Sequence, residues 1–180
     1  MSDDAHKIVE LDSAIKQAFK IFDKSTFEGG IGYALAGEVY GSASFDCLAA
    51  DSLDFDEKRF WEASRDVELL TLKKLRAYVA EIGLSQPDEQ TYEVLGQMTA
   101  RVFSGAPHFA YCEWVAPQIL IALSDFNLLK ELLGRSELSI ELFEHEAAFA
   151  SAWRGLGEGF GKAIKPLEKH LLRYGQGLGV

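Results

Sequence analysis

Motifs of every familiar kind are missing from this chain, and each absence removes a class of protein. There are two cysteines in 180 residues, Cys47 and Cys112, far apart and in no zinc or redox spacing. Reduced thiols in a cytoplasmic protein are the expectation that follows. No long hydrophobic run occurs. The most apolar stretch, Trp114 to Leu123, contains Pro117 and Gln118 and is too short to span a bilayer, so no membrane partner is expected. The acidic opening Met1-Ser2-Asp3-Asp4 lacks the apolar segment of a secretory signal. Basic residues are in deficit, 18 against 28 acidic ones, for a net charge of −10. Such a surface repels phosphate, which argues against nucleic acid as a partner.

Catalytic signatures are equally scarce. No nucleophile elbow, metalloprotease helix, EF-hand loop or paired-cysteine motif occurs. Glu141 stands four residues before His145, not the three of the di-iron pattern. The glycine-rich run from Gly155 to Lys162 misses the Walker spacing, with Leu156 where the first Gly belongs and Ala163 after the lysine. No cofactor is called for.

What is present is helical periodicity. No Gly or Pro falls between Gly41 and Gly83. Within that gap Phe60, Trp61, Val67, Leu72, Leu75, Tyr78, Val79 and Ile82 share one arc at 100° per residue. This predicts a long amphipathic helix over about 55–83, roughly 40 Å at 1.5 Å per residue. Asp54 is its N-cap, Glu57 completes a capping box and Gly83 ends it. Two shorter helices, the second capped by Asp66, are the alternative. Three polar residues, Ser64, Glu68 and Thr71, form a notch in the apolar arc.

Around that element the pattern predicts a first helix from about Asp4 to Phe22 and a turn at Gly29-Gly30. A small-residue helix follows through Gly41, with Ser42 to Ala50 as a continuation. Ser85 and Pro87 signal the next start. A nearly uniformly apolar, buried central helix is expected over about 107–123, kinked at Pro117, then a short helix capped by Ser124 or Asp125. Ser136 caps a helix to Arg154 whose inner stripe includes His145. A basic stripe, Lys162, Lys165, Lys169 and Arg173, marks the last helix. No strand pattern occurs, so the fold class is all-α: one helical domain over 1–180, with frayed ends at 1–4 and 175–180.

Two functional readings follow. The first is a non-enzymatic binding protein, an inhibitor-like, immunity-like or regulatory partner of a basic protein, presenting Glu137, Glu141 and Glu144. The second is a helical-pocket protein or enzyme that binds a ligand or metal through polar residues on apolar faces: Glu68, His108, Glu113 and His145. Glu68, Glu113 and His145 are its candidates for acid–base work, and His108 with Cys112 one turn on for metal binding. Whether Glu68, Glu113 and His145 converge in one cavity separates the two readings.

Overall fold

The computed structural model describes residues 3–103, 108–134 and 136–175, without the side chains at 3–5, 108, 109, 112, 116, 118, 119, 122 and 123. It is all-α. Among the described residues seven α-helices follow one another: α1 (Asp3–Phe19), α2 (Phe27–Asp51), α3 (Phe55–Ile82), α4 (Glu89–Phe103), α5 (His108–Leu132), α6 (Glu137–Gly155) and α7 (Phe160–Tyr174). A single 3₁₀ turn, Leu156–Glu158, joins the last two, and no strand occurs among the described residues.

The long helix is one piece. Asp54 accepts a hydrogen bond from the Glu57 amide at 2.9 Å, and Gly83 closes α3 at φ 72°, where a Cβ would be strained. Asp66 sits inside the helix and caps nothing. Glu57 does not reach back to its cap; its carboxylate accepts from the Trp61 indole at 3.2 Å.

Elsewhere the boundaries shift for local reasons. The Gly29-Gly30 pair does not form a turn but lies in the first turn of α2, whose N-cap is Thr26. A Cβ on Gly29 would stand 2.0 Å from the Asp23 carbonyl oxygen, so this glycine permits the close return of the chain from α1. The segment 42–50 is the same helix as 27–41. Helix α4 starts at Glu89, after Ser85 and Pro87, where Asp88 holds the Thr91 hydroxyl at 2.8 Å. Helix α5 absorbs Pro117 and runs through Ser124 and Asp125 to Leu132. Gly155 packs on Ala163 of α7 and not on α2.

The small residues of α2 do not form one flat face. Gly32 meets the Phe22 ring, Gly41 meets the Glu68 carboxyl, and Gly37 has nothing within 4 Å of its Cβ position. Helix α4 does approach closely, where a Cβ on Gly96 would lie 2.3 Å from the Tyr40 carbonyl oxygen.

Helix α2, more than α5, is the enclosed element. Residues Ile31, Ala34, Leu35, Ala36, Phe45 and Ala49 of α2 are 3% exposed or less. Helix α5 is apolar but two-sided: Tyr111, Val115, Phe126 and Leu129 are buried, whereas Leu120 and Ile121 are 63% and 55% exposed. Hydropathy could not distinguish its sides, because both are apolar.

Two apolar cores are stacked along the bundle. One gathers Phe45, Phe60, Trp61, Phe149 and Trp153, with Phe45 stacked on Trp61 at 5.9 Å between ring centres. The other gathers Ile31, Leu35, Leu75, Val79, Tyr92 and Leu142. Helices α2, α3 and α6 each contribute to both. Each passes from one core to the other through a polar layer.

Candidate metal centre

That layer is the site. On α3 it falls between Val67, in the first core, and Leu72, in the second, at the notch residues Glu68 and Thr71. On α6 it falls between Leu142 and Phe149, at His145 and Glu146. On α2 it falls between Leu35 and Phe45, at Glu38. All are buried: His145 is 0% exposed, Thr71 1%, Glu38 2%, Glu146 7% and Glu68 8%. Three carboxyl groups and one imidazole, from three helices, therefore meet in the interior.

The geometry is convergent. His145 Nε2 stands 3.5 Å from Glu38 Oε2, 3.5 Å from Glu146 Oε1 and 3.7 Å from Glu68 Oε2. One ligand atom from each of Glu38, His145 and Glu146 lies within 4.8 Å of the others. Thr71 Oγ1 is 2.8 Å from His145 Nδ1. The neighbouring Ser64 returns its hydroxyl to the Phe60 carbonyl, so Thr71 is the notch residue that reaches across to α6. A donated Nδ1–H leaves the Nε2 lone pair facing the three carboxyls, the second-shell arrangement that orients a metal-binding histidine. Among the described residues, Glu38 Oε2 and His145 Nε2 have no hydrogen-bond partner. Buried polar atoms are normally paired, and these two point at one another across a gap.

The electrostatics are those of ligands holding protons. Burial, then the charge of Glu68 and a hydrogen bond to it, push Glu38 well above the usual carboxylate range. Burial alone lifts Glu68 to about 7, against a lowering by its hydrogen bond to Glu38. Burial and the Glu68 and Asp125 charges raise Glu146 likewise. Burial and His170 depress His145 well below the ordinary imidazole value. Near neutral pH Glu68 is thus partly ionised, Glu38 and Glu146 are held toward their protonated forms, and the imidazole is neutral. Ionised without a compensating cation, each acid would cost several kcal/mol.

Of the residues singled out in the sequence, Glu68 and His145 converge. Glu113 is on the exposed side of α5 and does not join them. The side chains of His108 and Cys112 lie outside the described residues. The stripe Glu137, Glu141 and Glu144 is not uniformly outward. Glu137 is exposed, but Glu141 is 4% exposed and binds Lys74 through both oxygens at 2.6 and 2.7 Å. Glu144 pairs with Arg173 at 2.6 Å and accepts the Tyr174 hydroxyl. Glu141 lies one turn from His145 on the same helical face, so a buried His145 entails a buried Glu141. It does not orient the ring; Thr71 does.

The residues missed are Glu38, Glu146 and His170. Glu38 carried a signal, as an acid interrupting the apolar run from Ile31 to Val39. Glu146 carried none, being one of several acids in α6. His170 of α7 is buried, its ring 5.8 Å from that of His145, and burial lowers it to about 4. Comparison with models of known protein families, with characterised proteins and with solved structures found no match.

Proposed function

We propose that the protein binds a divalent transition metal between Glu38, Glu68, His145 and Glu146, and uses it on a small molecule in the adjoining pocket. The observation that carries this reading is the convergence of unpartnered, fully buried ligand atoms from α2 and α6 at 3.5 Å. Ligand atoms held about 2.1 Å from a common ion are roughly 3–3.5 Å from one another, so little movement is needed to close the site. An oxygen-rich set with one imidazole suits Mn²⁺, Fe²⁺ or Zn²⁺ better than a thiophilic ion. The metal would replace the protons that now neutralise the acids. Its chemistry would be that of a Lewis acid or, for iron and manganese, a redox centre. Thr71 would hold the imidazole, and the two apolar cores would keep the layer dry.

The alternative, recognition of a basic protein through the α6 acids, has less to support it. Two of its three carboxylates are already engaged with Lys74 and Arg173.

Equilibrium dialysis against Mn²⁺, Fe²⁺ (anaerobically) and Zn²⁺ tests the proposal. At least one ion is expected to be retained stoichiometrically by the native chain. Gly41→Ala is expected to weaken that binding by about tenfold or more, because its Cβ would lie 2.6 Å from Glu68 Oε1 and displace the carboxyl. The helix itself gains from the change, by up to about 1 kcal/mol. Absence of retention for all three ions would refute the metal centre.

A further inference from the structure

The polar layer is one wall of a pocket of about 280 Å³ between α1, α2, α3, α5 and α6, open to solvent on one side. Its other walls are apolar and largely aromatic, including Phe19, Tyr33, Phe45, Tyr111, Phe126 and Phe149. Three of the four proposed ligands, Glu38, Glu68 and Glu146, line it, so one face of the centre is open to this space. Gly37 also lines it, and with nothing among the described residues within 4 Å of its Cβ position it is where they leave room. At the rim stand the exposed Ile121 and the ion pair of Asp12 and Lys16, 2.6 Å apart.

The geometry points to a binding site for a neutral, mostly apolar molecule of about ten non-hydrogen atoms, an alcohol, phenol or ketone class ligand whose single oxygen faces the carboxylate layer. This deepens the metal-centre reading and rests on it for what the oxygen meets. Size follows from the volume, since 280 Å³ holds roughly nine groups at about 30 Å³ each. The apolar body follows from the walls, where ring edges and faces suit an aromatic or short alkyl group. The neutral head follows from charge. Three ionised carboxylates around one divalent ion leave a net charge of −1, which disfavours an anionic ligand but accepts a neutral oxygen donor. The absence of any cation among the described lining residues other than Lys16, itself paired with Asp12 at the rim, points the same way.

The probe is 4-propylphenol, with 4-propylbenzoate as its anionic counterpart, each titrated into the Mn²⁺-loaded native protein while proton relaxation of the probe is followed. The phenol is expected to bind more tightly than the benzoate, with paramagnetic broadening strongest on the ring protons beside the hydroxyl. Gly37→Leu takes up part of the cavity from a Cβ position with nothing described within 4 Å; it is expected to retain Mn²⁺ and to weaken phenol binding by about tenfold or more. Gly37→Ala, which adds one carbon to open space in a helix, guards against a folding failure of the larger variant and is expected to weaken binding by a smaller factor. Equal phenol affinity in native and Gly37 variants, tighter binding of the benzoate, or broadening centred on the propyl end would overturn the inference. If the native chain retains none of Mn²⁺, Fe²⁺ and Zn²⁺, the metal reading falls alone. The native and Gly37 comparison, repeated on the metal-free protein, still decides whether the cavity is the binding site.

Discussion

Replacing Glu38 and Glu68 together by methionine is expected to stabilise the metal-free protein while abolishing metal retention. The two carboxyls are hydrogen-bonded to each other in the core, 2% and 8% exposed. Removing both leaves no orphaned partner between them, and similar-sized apolar groups can then join the cores on either side. Apolar replacement of buried ionisable groups is often neutral or stabilising by about 1–4 kcal/mol, or about 2–4 °C per kcal/mol in a chain of this size. His145→Ala should behave oppositely in stability and identically in binding. It leaves a void beside Phe149, whose ring centre is 5.0 Å away, and strips Thr71 of its partner. Thermal melts of metal-free protein, paired with dialysis, read both effects. A double variant that is less stable than the native chain would mean the acids are structural.

The second large effect is a pH dependence that reverses with metal. Glu68 is raised to about 7, and Glu38 and Glu146 well above their ordinary range. The folded, metal-free chain therefore holds protons that the unfolded chain has released above about pH 4.5. Stability contributed by these acids is complete below that pH and is lost as pH rises through their folded values, by up to about 1.4 kcal/mol per unit for each proton. The histidines act with the other sign. His145 is depressed well below 6.5 and His170 to about 4, so their contribution grows as pH rises to about 6.5 and is then constant. Below pH 6.5 the two sets oppose each other. Above it only the acids titrate, and the melting temperature of the metal-free protein is expected to fall between pH 6.5 and 8.5. In the metal-loaded protein the same carboxylates are ionised ligands, proton competition weakens as pH rises, and the added stability RT ln(1 + [M]/Kd) grows. Melting curves across that range, with and without excess Mn²⁺, are expected to diverge. Parallel curves would contradict the assignment of these groups as ligands.

Sequence periodicity was sufficient for the frame of the fold. The arc from Phe60 to Ile82, opened by Asp54 and closed by Gly83, specifies α3 because a long amphipathic helix states its phase many times over. The notch was legible for the same reason: Ser64, Glu68 and Thr71 are polar at positions whose neighbours one turn away are buried. What periodicity cannot supply is the partner of a notch. Thr71 and His145 are 74 residues apart, and their pairing depends on how α3 and α6 cross. Glu38 interrupts an apolar run, but a lone acid there reads equally as an exposed edge. Glu113 shows the converse, since in a helix apolar on both sides the exposed side has no mark of its own. The stripe Glu137, Glu141 and Glu144 misled because charge suggests solvent, while the i,i+4 relation of Glu141 to His145 placed it inside. Lys74, on a different helix, neutralises it.

The most direct test of the central claim is an anomalous-difference map, at the manganese edge, of a crystal grown with Mn²⁺. The account predicts a peak in the core, within bonding distance of His145 Nε2 and of carboxylate oxygens from Glu38, Glu68 and Glu146, with Thr71 still on Nδ1. Manganese confined to surface carboxylates, with the buried layer empty and the side chains arranged as they are here, would contradict it.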